Sequence, residues 1–141
     1  MLSFWRAART HSFSVALLAS LAVVCSGCGG WNVPPGAKQL KNPVPANSAT
    51  LEAARGLYRN NCAKCHGING DGKRPPGSMY SYNVQPTNFT NAKRMDAMSD
   101  GEIFWKITNG RKPMPSFKNR LTGEQRWQLV NLLRTFAHHA N

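Results

Sequence analysis

The 141-residue sequence predicts an all-α fold: a small fold of three main helices joined by long loops. Two observations support this prediction. Three segments place apolar residues at three- and four-residue steps behind a capping residue, which is the pattern of amphipathic helices. No segment of useful length alternates polar and apolar residues as a half-buried strand would, and no internal repeat is visible.

The first predicted helix spans about 49–61 and leads directly into Cys62. Leu51, Ala54 and Leu57 recur on one face, and Ser48 or Thr50 can cap its start.

The other two predicted helices each begin with the sequence pattern of a capping box. Ser99 and Glu102 start the second, which ends at Gly110, a residue that readily adopts the left-handed conformation. Thr122 and Gln125 start the third, which runs to about residue 136. Between the first and second helices, residues 67–98 form a loop that is unusually long for so small a domain. We therefore expect a large buried cofactor to order it.

The N-terminus has the order of a secretory signal. Residues 1–14 are basic without any acid, residues 15–24 (VALLASLAVV) are apolar, and small residues follow. An apolar block of about 10 residues is too short to span a membrane, which takes about 20. The stretch CSGCGG resembles a bacterial lipoprotein signal, in which Cys28 would be acylated. Cys25 stands where a larger aliphatic residue is usual, so cleavage near residues 27–30 without a lipid is the alternative.

We therefore predict three regions: a secretory, lipoprotein-type signal at 1–28, a Pro/Gly-containing linker at 29–48, and a domain at 49–141. The linker either forms an extended tether or packs along the domain through Trp31 or Leu40. The sequence has 18 Lys and Arg against six Asp and Glu, a formal charge of +12. This charge suits a solvated surface, or steering toward an acidic protein face or an anionic membrane. Nucleic acid fits poorly, because no basic run exceeds two residues and an export signal is present.

The segment NCAKCHG contains Cys62, Cys65 and His66. A redox dithiol would need a βαβ context, and structural zinc would need two further ligands. Cys-x-x-Cys-His is the attachment motif of c-type haem. Two sulfurs one helical turn apart can form thioethers with two vinyl groups of one porphyrin, and the adjacent imidazole can bind the iron. The sequence therefore predicts one covalent haem c on Cys62 and Cys65, with His66 as an iron ligand.

Met114 is the predicted second axial ligand. It lies in GRKPMPSF, where Pro113 and Pro115 restrict the backbone and fix the direction of the side chain. A thioether ligand raises the reduction potential relative to a second histidine. The carbonyl of Pro75 or Pro76 could accept from the other ring nitrogen of His66. The remaining candidates for the second ligand are Met79, Met95, Met98, His138 and His139.

Three segments, GLYRNNCAKCHGINGDG, SDGEIFWKITNGRKPMPSF and LTGEQRWQLVNLLRTF, resemble mono-haem bacterial cytochromes c of the class I, Met/His-ligated type. The resemblance covers about two-thirds of the chain. It implies that the first and last helices cross, with Tyr58 and Trp127 near their contact. Arg74 departs from the family, which commonly has Gly there. The haem residues that the resemblance implies are Cys62, Cys65, His66 and Met114.

From these features we expect a one-electron carrier rather than an enzyme. We expect it to be exported to the periplasmic side of the inner membrane and tethered through Cys28, or to be soluble in the periplasm if Cys28 carries no lipid. Its expected partners are redox proteins with acidic docking faces or a membrane respiratory complex, and Lys64, Lys73, Arg111 and Lys112 are candidates for the docking surface. Some relatives are lipoprotein subunits of membrane complexes. The main alternative is therefore a haem c subunit of a larger quinol- or cytochrome-oxidising complex. A third possibility is a five-coordinate haem that acts on a peroxide or a small gas.

Overall fold

The computed structural model describes residues 30–74 and 85–138 of the chain. Within these ranges the secondary structure is helical and contains no strand, which confirms the all-α prediction. The three long helices are the three that the sequence predicts, and the structure adds three short helices. The helices are α1 (Pro35–Lys38), α2 (Ser48–Asn61), α3 (Ala63–His66), α4 (Ala92–Asp96), α5 (Asp100–Asn109) and α6 (Gly123–His138).

The cap of α2 differs by one residue from the prediction. Asn47, rather than Ser48 or Thr50, is the N-cap. Its side-chain oxygen accepts from the Thr50 backbone N–H at 3.0 Å, and the Thr50 hydroxyl accepts from the Asn47 N–H at 3.1 Å. Asparagine caps a helix as well as serine does, because its side-chain oxygen reaches the same free N–H groups. Thr50 therefore supplies the reciprocal half of the capping box.

The two other predicted capping boxes differ from each other. In α6 both halves are present, since the Thr122 hydroxyl accepts from Gln125 N at 3.2 Å and the Gln125 side chain accepts from Thr122 N at 2.9 Å. In α5 the Ser99 hydroxyl accepts from Glu102 N at 3.1 Å. The Glu102 carboxylate lies 2.7 Å from the ammonium of Lys106, one turn further along the helix. In a full capping box the Glu102 carboxylate would accept from the backbone N–H of the cap residue. In α5 it pairs with Lys106 instead.

The core forms where α2 and α5 each pack against α6. Tyr58 of α2 is 2% exposed, and its ring lies edge-on to Phe136 of α6 at 5.1 Å. Trp127, also expected near the contact of the first and last helices, stacks on Phe104 of α5 at 4.0 Å. Arg134 of α6 donates to the Met98 carbonyl and pairs with Asp100, so it fixes the start of α5.

Residues 31–47, which we call the N-terminal strap, pack along the domain. The short helix α1 lies against α5 so closely that a Cβ atom on Gly101 would be 2.0 Å from the Ala37 carbonyl oxygen. Further along, Asn42 donates to the Asn131 side chain at 2.8 Å, and Asn131 donates to the Val44 carbonyl at 2.9 Å. An extended tether is therefore not what the structure shows for these residues.

Of the two anchors suggested for a packed linker, only one is enclosed. Leu40 is 47% exposed, whereas Trp31 is partly buried against the ring of Trp105 at 6.2 Å. The predicted signal, with Cys25 and Cys28, lies outside the described residues, and the domain boundaries stay predictions. In the ranges that the structure describes, no helix has both the length and the apolar character needed to cross a membrane.

Candidate haem site

The Cys-x-x-Cys-His motif forms a single helical turn at the junction of α2 and α3. The carbonyl of Cys62 accepts from the N–H of Cys65 at 3.0 Å and from the N–H of His66 at 2.9 Å. The turn ends at Gly67, whose φ of 79° is strained for other residues. A Cβ atom there would also lie 2.3 Å from a carboxylate oxygen of Asp71. The two thiols, both free and partly buried, therefore sit one turn apart, directly before the imidazole.

The imidazole of His66 is held on both its edge and its face. Its Nδ1 atom lies 3.2 Å from the carbonyl oxygen of Thr87, and its ring stacks on Phe89 with centroids 4.6 Å apart. A carbonyl only accepts, so this contact assigns the proton to Nδ1 and leaves the lone pair of Nε2 available to a metal. Burial lowers the pKa of His66, against an opposing effect of the Thr87 carbonyl. The ring is therefore held in the neutral form that binds iron.

The backbone carbonyl that accepts from the second ring nitrogen of His66 belongs to Thr87, and not to Pro75 or Pro76 as the sequence suggested. Those two prolines lie outside the described residues, and the carbonyl that meets His66 is that of the residue after Pro86. A backbone carbonyl leaves no mark on residue type, so only the path of the loop could identify it.

The thiol of Cys62 lacks the lowered pKa of an attacking cysteine in a redox dithiol. Burial, with a smaller contribution from the charge of Cys65, raises the pKa of Cys62 to about 12. A redox dithiol needs a lowered pKa at its attacking cysteine, because the thiolate is the nucleophile. Zinc gains no support either, since no three His, Cys, Asp or Glu side chains cluster around a metal position within residues 30–74 and 85–138. Neither observation favours a redox dithiol or zinc over the thioether attachment that the motif predicts.

His66 opens onto a cleft with an empty volume of about 520 Å³, part of it open to solvent. The walls come from α4, α5, α6 and the loop around residue 87. Most of the lining is apolar, with Phe89, Ile103, Ile107 and Leu133 among its side chains.

Three methionines line the same cleft as His66, and Met114 is one of them. Met114 exchanges two backbone hydrogen bonds with Arg111, at 2.9 and 2.8 Å, which fix its loop after α5. Met95 is fully buried on α4. The sulfur of Met98 lies 3.1 Å from the ammonium of Lys106. Met79 lies outside the described residues. The structure thus brings the predicted pair, His66 and Met114, to one cleft.

Two cations and a tryptophan also line the cleft, and sequence reasoning assigned none of them to the site. Arg94 comes from α4, Lys106 from α5 and Trp31 from the N-terminal strap. They are scattered in sequence, and no motif marks them. Cations in an apolar cleft suit the two propionate carboxylates of a haem. An available imidazole nitrogen, thioether sulfurs, apolar walls and two cations are a donor set that fits the haem implied by the cysteine motif.

Comparison with known proteins agrees with this geometry. Residues 49–133 match the protein family described as cytochrome c oxidase, cbb3-type, subunit III. The curated proteins include no match to the sequence.

Two solved structures are similar to the chain. One is the Kuenenia stuttgartiensis reducing HAO-like protein complex Kustc0457/Kustc0458, at 27% identity and a TM-score of 0.56, over 67% of this chain and 46% of that one. This chain therefore spans less than half the length of that relative. The other is the KustC0563 c-type cytochrome, at 28% identity and a TM-score of 0.50, over 59% of this chain and 95% of that one.

The prediction of a c-type cytochrome with a small helical fold is thereby confirmed. The family match, together with a c-type cytochrome as structural neighbour, makes residues 49–133 an electron-transfer domain rather than a catalytic one. This chain belongs to the family of c-type cytochrome domains described as cbb3-type cytochrome c oxidase subunit III.

Proposed function

We propose that this protein is a one-electron carrier with a single haem c, attached through Cys62 and Cys65 and ligated by His66 and Met114. One observation carries the proposal: the His66 imidazole, with its Nδ1 proton directed to a carbonyl, shares an apolar cleft with Met114. When bound, the haem supplies an iron centre that alternates between the ferric and ferrous states.

The residues around the cleft orient the iron ligand and keep water away from the haem. Thr87 and Phe89 fix the imidazole plane of His66, so the ligand needs little reorganisation when the charge of the iron changes. The apolar walls restrict water, which favours the less charged, reduced form and raises the potential. A haem bound by both His66 and Met114 would have no open iron position for a substrate.

Met114 is the proposed sulfur ligand because its loop is held in place on both sides of the residue. Two prolines flank it, two hydrogen bonds join it to Arg111, and Gly110 lets the loop turn back close to Pro115. Met95 is fully buried in the core, and the Met98 sulfur faces the ammonium of Lys106.

The covalent haem is tested by expressing the protein with haem-attachment machinery and extracting it with acidified organic solvent. We expect all pigment to stay with the protein, and C62S/C65S to yield none that resists extraction. Pigment that washes out of the unmodified protein would refute the attachment.

The ligand assignment is tested by a matched pair, M114L and M98L, which replace a thioether by an alkyl group of similar volume. The unmodified ferric protein should show a thioether-to-iron charge-transfer band and react slowly with carbon monoxide when reduced. M114L should lose the band and bind carbon monoxide rapidly, whereas M98L should behave as the unmodified protein does. The opposite pattern would make Met98 the ligand, and rapid binding by the unmodified protein would favour a five-coordinate haem.

We further propose export to the periplasmic side of the inner membrane, with Cys28 acylated as the tether. This part is supported by the order of basic, apolar and small residues at the N-terminus. Mass spectrometry of the mature protein tests it directly. A mass with acyl chains on an N-terminal Cys28 supports it, and an unprocessed N-terminus contradicts both export and lipidation.

Docking to an acidic partner face is the proposed role of the basic side chains near the haem segments. Lys64 and Lys112 are both exposed. Charge reversal in K64E/K112E should slow electron transfer to an acidic redox partner and flatten its dependence on ionic strength, because the steering charge is lost. K38E, in the N-terminal strap, is the control. An unchanged salt slope in the double variant argues against docking through these residues.

A second candidate function is a haem c subunit of a larger respiratory complex. The description of the matched family as an oxidase subunit, and the complex among the similar solved structures, favour it. Purification from membranes in mild detergent distinguishes the two functions. Stoichiometric copurification with membrane subunits supports the complex, whereas a monomer that shuttles electrons alone supports the free carrier.

A further inference from the structure

Trp31 lies 18 residues before the family-matched region begins, yet it lines the haem cleft together with His66 and Met114. The family match over residues 49–133 gives no role to this position, and the cytochrome segments recognised in the sequence do not include it. The N-terminal strap therefore adds a wall to the cleft that the matched domain alone does not supply.

The indole of Trp31 is held by three side chains at the end of α5 and just beyond it. Trp105 meets it edge-on at 6.2 Å between centroids, the ammonium of Lys106 lies 5.8 Å from its ring centre, and the guanidinium carbon of Arg111 lies 5.2 Å away. Both cations are within the range of attraction to an aromatic face. Lys106 lines the cleft as well, so this cluster forms part of the cleft wall.

The N-terminal strap fixes Trp31 from the other side. Val33, two residues along, is 7% exposed. Next, α1 packs on α5 at Gly101, where no side chain would fit, and Asn42 hydrogen-bonds to Asn131 of α6. The backbone that carries the indole therefore has anchors on both of the long helices that flank the cleft.

Arg111 connects this cluster to the proposed iron ligand. Its side chain lies over the Trp31 ring, and its backbone exchanges two hydrogen bonds with Met114. A displacement of the indole would remove an apolar wall of the cleft and, at the same time, the ring on which the Arg111 side chain lies.

We propose that Trp31 is a positioning residue that closes the methionine side of the haem cleft and keeps Met114 on the iron. The role rests on the proposed function, because it needs a haem with Met114 as its ligand. Trp31 does not touch the reacting iron in this proposal; it acts through Arg111 and by excluding water.

The test compares W31A, W31F and L40A in the full-length protein carrying its haem. Leu40 belongs to the same strap but is 47% exposed and does not line the cleft. The readouts are the rate of carbon monoxide binding to the reduced protein, the thioether-to-iron band of the ferric protein and the midpoint potential.

We expect W31A to bind carbon monoxide about tenfold faster than the unmodified protein. A tenfold change corresponds to a loss of about 1.4 kcal/mol in the stabilisation of Met114 on the iron. Its ferric band should weaken and its potential should fall, because the iron gains water and loses the sulfur part of the time. W31F, which keeps an aromatic face, and L40A should both stay within about twofold of the unmodified protein, well short of that tenfold change.

The role of Trp31 would be refuted if W31A binds carbon monoxide at a rate within twofold of the unmodified protein and keeps the thioether-to-iron band. The proposed function would still stand. The proposed function would instead be refuted if the unmodified protein has no covalent pigment or no thioether-to-iron band. If W31A does not accumulate, W31L takes its place, since it keeps apolar bulk but offers no aromatic face. Equal rates for W31L, W31F and the unmodified protein would likewise overturn the proposal.

Discussion

Replacing Tyr58 by Phe isolates one buried hydrogen bond behind the haem motif. The Tyr58 hydroxyl donates to the carbonyl of Gly67, the residue after His66, at 2.7 Å, and the side chain is 2% exposed. Phenylalanine keeps the ring and hence the edge-on contact with Phe136 at 5.1 Å. The substitution therefore removes the donor with little change in packing.

The Gly67 carbonyl also accepts from the Gly70 N–H at 3.1 Å, so it keeps one partner in the variant. The cost should then be the net value of a hydrogen bond, about 1 kcal/mol, rather than the larger penalty of an orphaned acceptor. For a domain of this size, that corresponds to a fall in Tm of about 4–8 °C.

Denaturant and thermal unfolding of the haem-loaded protein, followed by circular dichroism, measure this change. Tyr58→Ala is the companion variant and should cost about 3–5 kcal/mol, because it also removes the buried ring. A Tyr58→Phe variant as stable as the unmodified protein would show that the hydrogen bond contributes nothing. A loss above about 3 kcal/mol would show that the Gly67 carbonyl is left without a partner, contrary to the geometry.

Three further predictions concern stability. Gly101→Ala should destabilise the protein by about 1–3 kcal/mol in denaturant unfolding, because its Cβ would clash with a strap carbonyl. The control, Gly56→Ala in α2, meets no atom within 4 Å and should be neutral or stabilising by up to about 1 kcal/mol; equal effects at the two sites would contradict the close packing. Asn131→Ala should cost about 1–2 kcal/mol and speed proteolysis of the strap, since it removes the bonds to Asn42 and to a strap carbonyl; unchanged cleavage would show that the strap is held elsewhere. Burial raises the pKa of Tyr58, so its folded form holds the proton more tightly than the unfolded form does. Stability should therefore be unaffected by this group below about pH 10 and should fall as the pH rises above it, as pH-dependent unfolding would show; the same alkaline slope in Tyr58→Phe would assign the loss to other groups.

The sequence by itself determined the helical class, the three long helices and the attachment motif. These depend on local signals: apolar spacing, capping residues and a cysteine–histidine pattern whose chemistry requires that spacing. Even there, the cap of α2 is Asn47 and not Ser48 or Thr50, because neighbouring polar residues have similar capping strength.

Only the tertiary structure decided which groups surround the haem motif. The Thr87 carbonyl that orients His66 is a backbone atom 21 residues away in sequence, and no residue pattern marks it. Likewise, the N-terminal strap could have been a tether by its composition, and its packing depends on Gly101 leaving room for α1. Local patterns reveal the secondary structure of a segment. Contacts between distant segments depend on shape and close packing, which appear only when the chain is folded.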